Sequence, residues 1–122
     1  MRLSIVIPCH NEEANINKLV KAFLASYYNK ILEIIVVNDG STDKTGNIAN
    51  DLRKKIRKIK VIHRIPPHGV GLAIREGLKN VSPSASHVLT LDADFIKNVT
   101  DIKHFFDSIS NYDGLVGSRY LN

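Results

Sequence analysis

The sequence predicts an α/β protein in which a mostly parallel β-sheet is flanked by helices, in a single domain spanning residues 1–122. Short apolar segments alternate along the chain with longer segments whose apolar residues recur at helical spacing. The short segments are nearly continuous in apolar character, as in strands that are covered on both faces. The helical segments between them would supply the crossovers that parallel strands require.

The first strand is predicted at 3–7, and Pro8 ends it. We expect Asn11 to cap the helix that follows. Glu12 and Glu13 would then lie in the first turn of this helix, where carboxylates interact favourably with the helix dipole. An apolar stripe at helical spacing predicts the buried face of the helix: Ile16, Leu19, Val20, Phe23 and Leu24.

The second strand is predicted at 31–37, where most residues are apolar and many are β-branched. A polar loop at 38–43 is expected to cap a second helix at 44–56. The remaining elements continue the alternation: a strand at 61–63, a helix at 70–80, a strand at 87–91, a helix at 101–109 and a short strand at 115–117.

Composition limits the class of protein. With 122 residues, 43% of them hydrophobic, the chain can build one modest core. No apolar run reaches the roughly 18–20 residues that a membrane-spanning helix needs. The apolar segment near the N-terminus is too short for a signal peptide, and the single cysteine, Cys9, excludes an internal disulfide. We expect a cytoplasmic protein, with peripheral contact to a membrane as an extension of that prediction.

The net charge of +5 favours anionic partners such as nucleotide phosphates, acidic lipid headgroups or nucleic acid. The basic run at 53–60 closes a predicted helix, where cations favour the dipole, so a solvated face is favoured over a lipid-binding patch. Aromatic residues are few and none is interleaved with this run. We therefore expect no nucleic-acid partner.

The histidines and a glycine pair are interpreted as structural. His63, His68, His87 and His104 lack the spacing of metal ligands. The segment GVG at 69–71 matches a dinucleotide fingerprint only in part, because it does not follow the first strand. Packing at a helix start is favoured there over a phosphate loop.

The strongest functional signal is the segment VLTLDAD at 88–94, a predicted strand that ends in Asp92 and Asp94. Open α/β sheets bind ligands at the carboxyl ends of their strands. Two acids in that position repel each other unless a cation or strong donors neutralise them. Oxygen ligands of this kind suit Mg²⁺ or Mn²⁺. The alternative is an Asp turn that caps the next helix.

Three polar loops should meet at one edge of the sheet, because each follows the end of a strand: 8–12, 38–43 and 92–94. Asp39 is an acceptor suited to a proton of a base or ribose, and Gly40 allows a tight turn. The alternative is that Asp39 and Gly40 form an ordinary turn before a helix cap.

The motifs IVIPCHNE at 5–12, VVNDGSTD at 36–43 and LDAD at 91–94 resemble, in order and spacing, the inverting glycosyltransferase family 2, which has the Rossmann-like GT-A fold. The segments at 69–77 and 117–120 are similar to those of dolichyl- or polyprenyl-phosphate mannosyltransferases. The resemblance implies transfer of a hexose such as mannose from a nucleotide sugar, GDP-mannose or a UDP-sugar, to a polyprenyl or dolichyl phosphate at a membrane surface.

The resemblance also implies roles for individual residues. Asp92 and Asp94 would hold Mg²⁺ or Mn²⁺ on the diphosphate, and Asp94 and Arg119 would be the catalytic residues. The residues implied to bind the nucleotide sugar are Pro8, His10, Glu12, Val37, Asp39, Asp92, Ala93, Asp94 and Arg119.

The chain departs from the family pattern at two points. Ile96 stands where the subgroup commonly has a polar residue near the metal, and residues 97–99 replace a usual His-Pro-type turn. Family members also continue well beyond the region of Arg119, so we expect a GT-A fold truncated on its C-terminal side. We expect this chain to form a homo-oligomer or to need a partner chain. The alternatives are a non-catalytic nucleotide-sugar-binding module or one part of a split glycosyltransferase.

Overall fold

The computed structural model describes residues 1–109, apart from the side chains of residues 96–98. The helices and strands follow in this order: β1 Leu3–Cys9, α1 Ile16–Tyr27, a 3₁₀-helix Tyr28–Lys30, β2 Ile31–Asp39, α2 Thr45–Lys55, β3 Ile59–Arg64, α3 Val70–Lys79, β4 His87–Thr90, a second 3₁₀-helix Phe95–Ile102, and α4 Lys103–Ser108. The strand predicted at 115–117 lies outside the described residues.

The four strands form one sheet in the order β3-β2-β1-β4, and all neighbouring strands are parallel. β1 is central: it pairs with β2 from Leu3 opposite Ile31 onward, and with β4 from Leu3 opposite His87 onward. The predicted α/β fold is confirmed. Because the strands run in one direction, the loops that follow them emerge at the same edge of the sheet.

The two faces of the sheet have separate cores. On one face, α1, α2 and the second 3₁₀-helix cover a large cluster that includes Phe23, Leu19 and Ile34. On the other face, α3 covers a small cluster: Val6, Ile35, Val37 and Ala73. A Cβ atom at Gly77 would collide with the side chain of Val6, so the α3 backbone packs directly on the sheet.

The strand β4 is less covered than the sequence predicted. Val88 is 46% exposed and Thr90 is also exposed, so the expectation of a strand covered on both faces is wrong within the described residues. Val88 and Thr90 pair with Ser4 and Val6, on the face that carries α3. That helix packs on β1 and β2 and leaves β4 open.

The start of α1 also differs from the prediction. The helix begins at Ile16, and its N-cap residue Asn15 makes no side-chain capping bond. Asn11 does not cap this helix, and Glu12 and Glu13 precede it rather than occupying its first turn. The reason is that Asn11 has a φ of 54° and uses its side chain to hold the loop after β2.

A buried carboxylate links neighbouring strands near their amino-terminal ends, at the edge of the sheet opposite the one from which the loops after the strands emerge. Glu33 of β2 accepts hydrogen bonds from the Ser4 hydroxyl and from the Ser82 N–H, at 2.5 and 2.7 Å. It also pairs with Lys60 of β3. Burial by itself raises the pKa of Glu33, but Lys60, Ser4 and Ser82 outweigh burial and lower it.

Within residues 1–109, no helix combines the length and the apolar character needed to cross a membrane.

Candidate functional site

A cleft of about 280 Å³ lies at the carboxyl edge of the sheet. The loop after β1, the end of β2, the segment after β4 and the first turn of α3 all contribute to it. The lining residues are Pro8, Cys9, His10, Glu12, Asp39, Val70, Ala73, Asp92, Ala93 and Asp94. The three loops singled out in the sequence therefore contribute to one concave site.

Not every predicted residue lines the cleft. The side chain of Val37 is fully buried beneath α3, with Val6 and Ala73, so it is not available to a ligand in this structure. Arg119 lies outside the described residues. Val70 and Ala73 line the cleft although the sequence analysis did not select them. The helix start at residue 70, directly after a strand and a Pro-Pro loop, is the signal that would have indicated them.

The loops after β1 and β2 are held together through Asn11. Its N–H donates to the hydroxyl of Ser41 at 3.0 Å. Its side-chain oxygen accepts from the N–H groups of Thr42 and Asp43, at 2.8 and 3.4 Å. Asn is one of the few residue types that tolerate the left-handed backbone conformation found here.

Glu12 and Glu13 make further hydrogen bonds between the loops after β1 and β2. The N–H of Glu12 donates to the Thr45 hydroxyl at 2.8 Å, and the N–H of Glu13 donates to the Asp43 carboxylate at 3.3 Å. In return, the Glu13 carboxylate accepts from the N–H of Lys44 at 3.0 Å. The two loops thus form one hydrogen-bonded unit, which we call the loop clamp and define as residues 11–13 with 41–45.

Asp39 ends β2 at the base of the cleft, and its side chain is engaged on several sides. Its Oδ1 accepts from Arg64 Nη1 at 2.6 Å and from His68 Nδ1 at 2.8 Å. Its Oδ2 accepts from the N–H of Gly69 at 2.8 Å. Burial alone raises the pKa of Asp39, but these three donors outweigh it and lower the pKa. Asp39 is therefore an ionised acceptor at neutral pH.

His68 packs closely over Gly40. A Cβ atom at Gly40 would lie 2.5 Å from His68 Nε2, and Gly40 has a φ of 71°. His10 approaches from the other loop and donates from Nδ1 to the backbone oxygen of Asp39 at 2.9 Å. The sequence predicted a structural role for His68 and did not indicate the contacts of His68 and Arg64 with Asp39, because no spacing rule links residues about 25 to 30 positions apart.

Asp92 and Asp94 are both exposed in the cleft, and Ala93 between them is buried. Asp94 precedes the 3₁₀-helix Phe95–Ile102 but makes no side-chain capping bond to it. Within the described part of the chain, no three His, Cys, Asp or Glu side chains group closely enough to hold an ion by themselves. Mg²⁺ usually keeps several waters and takes one or two carboxylates together with phosphate oxygens, and two acids at the cleft fit that donor set.

Cys9 lines the cleft but is only 2% exposed. Its thiol donates to the backbone oxygen of Ile7 at 3.6 Å. Burial raises the pKa of Cys9 to about 12, and the nearby charges of Glu12 and Asp43 add to that effect. Cys9 is therefore protonated at neutral pH and is not a nucleophile in this site.

A parallel sheet with a polar cleft at its carboxyl edge, next to a helix N-terminus, is typical of α/β proteins that bind nucleotides. The chain belongs to glycosyl transferase family 2, whose family model matches residues 4–122. The resemblance noted from the motifs is confirmed.

The relatives of the chain are longer proteins. A dolichol-phosphate mannosyltransferase of Pyrococcus furiosus is 32% identical over 122 residues, which cover 99% of this chain and 34% of the relative. The chain spans less than half the length of the curated relatives that it matches.

Solved structures share the fold. Staphylococcus aureus TarS 1-349 in complex with UDP-GlcNAc superposes with a TM-score of 0.68 at 24% identity, covering 100% of this chain and 39% of that one. The mannosyltransferase PcManGT of Pyrobaculum calidifontis, in complex with GDP-Man and Mn²⁺, gives a TM-score of 0.67 at 22% identity, covering 76% and 27%. At these identities the likeness concerns the GT-A fold.

Proposed function

We propose that this chain is the donor-binding part of an inverting glycosyltransferase and binds a nucleotide-diphospho-sugar together with Mg²⁺ or Mn²⁺. The observation that carries the proposal is the cleft in which the buried acceptor Asp39 and the exposed pair Asp92 and Asp94 face the same space. In this proposal Asp39 receives the base or ribose, and Asp92 and Asp94 receive the metal-bound diphosphate.

The roles follow from the charges and the burial of these residues. Asp39 is ionised and held in place, so it would accept a hydrogen bond from the nucleoside without first reorganising. Asp92 and Asp94 would hold the cation, and without it they would repel the diphosphate. A bound divalent cation would offset the negative charge that develops on the departing nucleoside diphosphate. Arg119 is proposed to contact the diphosphate or the sugar.

For the acceptor, we propose a polyprenyl or dolichyl phosphate. The supporting observations are the motif resemblance and the mannosyltransferase relative of P. furiosus. A phosphate oxygen is already an anion, so it would attack the anomeric carbon without a dedicated general base. The sugar in this proposal is a hexose such as mannose.

Calorimetry with UDP and GDP, each with and without Mn²⁺, tests the donor site. We expect binding that Mn²⁺ strengthens in the unchanged protein, and loss of that Mn²⁺ effect in Asp94→Ala. Asp51→Ala, on the exposed face of α2, is the matched control and should retain it. An unchanged Mn²⁺ effect in Asp94→Ala would show that the metal site is elsewhere.

Transfer is measured separately, with radiolabelled nucleotide sugar and polyprenyl phosphate in detergent. Donor binding together with transfer identifies a complete catalytic unit. Donor binding without transfer identifies the second candidate, a nucleotide-sugar-binding module or one part of a split enzyme.

A further inference from the structure

We propose that the outer edge of β3 binds an extended, acidic peptide segment of a partner protein by strand addition. The site follows β3, at the end of the sheet opposite β4, and shares no lining residue with the cleft described above. The inference therefore goes beyond the proposed function and does not depend on nucleotide binding.

The first observation is the exposed backbone of β3. Within the described residues, β3 lies at one end of the sheet and pairs only with β2. The N–H of Ile34 donates to the backbone oxygen of Lys58 at 2.8 Å, and alternate residues of a parallel strand face the same neighbour. Lys60 and Ile62 therefore direct their backbone groups toward β2, whereas Val61 directs its N–H and C=O outward. Outward groups of this kind can pair with an added strand.

The second observation is a cavity of about 310 Å³ along this edge. Ile59 and Val61, which line it, pack in the large cluster on one face of the sheet, and Ile62, which also lines it, packs against the small cluster on the other. A space lined by side chains from both faces of one strand follows the edge of that strand. Four of its seven lining residues are isoleucine or valine, so it fits an apolar side chain of the added segment.

The charge around the cavity indicates the kind of partner. Residues 53–64 include seven lysines and arginines and no aspartate or glutamate. Arg53 lines the cavity and is exposed, and its guanidinium makes no hydrogen bond or ion pair within the part of the chain that is described. Lys60 also lines the cavity, but it pairs with Glu33. Arg53 is thus available to pair with a carboxylate of the partner segment.

The same charge disfavours a second copy of this chain as the occupant. Pairing between the β3 edges of two copies would bring the seven cations of one copy close to those of the other, and like charges opposite each other across strands are destabilising. An anionic membrane surface would contact the cations, but it would use neither the outward backbone groups nor the cavity. An acidic extended peptide uses all three features.

Hydrogen exchange measured by NMR, with short blocked peptides, tests the inference on the unchanged protein. The first peptide alternates Glu with Val, and the control peptide has Lys in place of Glu. At saturation we expect the Glu peptide to slow exchange at the outward amides of Val61 and His63 at least about tenfold, because both then donate to the added strand. The Lys peptide should leave exchange unchanged. Equal exchange with and without the Glu peptide overturns the inference.

Substitution at Val61 tests the role of the backbone. Val61→Pro removes the outward N–H without removing a hydrogen bond to β2, and proline is tolerated on edge strands. We expect it to abolish binding of the Glu peptide, as measured by calorimetry. Val61→Ala keeps the N–H and should retain most of the affinity. Similar affinities of the two variants overturn strand addition.

Substitution at Arg53 tests the role of the charge. Arg53→Ala should lower affinity for the Glu peptide about tenfold, the effect of one charge-assisted hydrogen bond. Lys54→Ala is the matched control, because it removes an exposed cation from the same helix without changing the lining of the cavity. Equal weakening by the two substitutions overturns the inference.

Vesicles that contain phosphatidylglycerol test the membrane as an alternative occupant. If the protein binds these vesicles, both substitutions weaken that binding equally and the Glu peptide does not bind, the basic edge contacts a membrane surface and the inference is overturned.

Discussion

Gly40 occupies a position that other residues would disturb in two ways. Its φ of 71° is unfavourable for a side chain, and a Cβ atom would meet the ring of His68. We expect Gly40→Ala to lower the free energy of unfolding by about 1–2 kcal/mol from the backbone alone, with a further loss from displacing His68. Urea denaturation measures the change.

Gly71→Ala is the matched control for Gly40→Ala, because a Cβ atom at Gly71 meets nothing within 4 Å and the residue lies in the first turn of α3. We expect this control to be neutral or to stabilise the protein by up to about 1 kcal/mol. Equal destabilisation by the two substitutions would contradict the account of Gly40.

Cys9 lies in the cleft, yet its thiol should be inert. Its pKa is raised to about 12, mainly by burial, and only the thiolate reacts with alkylating reagents. We expect iodoacetamide at pH 7.5 to leave the folded protein unmodified and to modify it readily in denaturant, as measured by mass spectrometry. Rapid modification of the folded protein would show that the thiol is accessible and acidic, contrary to the structure.

Between elements, the loop clamp connects the chain after β1 with the chain after β2. Asn11→Gly keeps the left-handed backbone but removes the side-chain oxygen that accepts from Thr42 and Asp43. We expect a loss of about 1 kcal/mol in stability and faster hydrogen exchange at the amides of these two residues, measured by NMR. Asn47→Gly, exposed on α2, should lower stability through helix propensity while those two amides stay protected.

Glu33 links three strands through its buried carboxylate, and its lowered pKa makes the link sensitive to acid. Because the folded-state pKa of Glu33 lies below 4.5, the value for an unperturbed glutamate, the stabilisation is present above about pH 4.5 and is lost as the pH falls through the folded-state pKa. Glu33→Gln should lower stability at pH 7 by about 1–3 kcal/mol. It should also flatten the dependence of stability on pH below 4.5.

Denaturation of Glu33→Gln between pH 3 and pH 7 measures both effects. Lys60→Gln should cost less, since Glu33 then keeps its hydrogen bonds from Ser4 and Ser82. If the free energy of unfolding falls as steeply below pH 4.5 in Glu33→Gln as in the unchanged protein, the acid sensitivity belongs to other groups.

At the scale of the whole molecule, the sequence predicted what depends on periodicity and order. Continuous apolar segments such as 31–37 became central strands, and the loops after parallel strands met at one edge. What it did not predict depends on contacts between distant residues. The exposure of Val88 follows from where α3 packs, and the three donors on Asp39 come from the end of β3 and the loop after it, about 25 to 30 residues away.

The same limit applies to the site. Residue type predicted that Asp39, Asp92 and Asp94 would lie at the cleft, because acids at the ends of strands do not serve core packing. Residue type did not indicate that Val37 would face the small core under α3 rather than the cleft. In a continuous apolar strand the sequence does not show which side chains point to which face of the sheet, because both faces are apolar.

The loop clamp has a consequence for the thermodynamics of the fold. Glu12 of the loop clamp also lines the cleft, and the clamp joins the two loops that contribute His10 and Asp39, so the cleft forms only when the β1–α1–β2 unit has folded. A nucleotide that binds the native state alone then raises the melting temperature, by linkage. At a concentration of 100 times its dissociation constant, such a nucleotide should add about 2.7 kcal/mol of stability. For this chain, the rise in melting temperature with added nucleotide would therefore report that the β1–α1–β2 unit is folded as well as that the cleft is occupied.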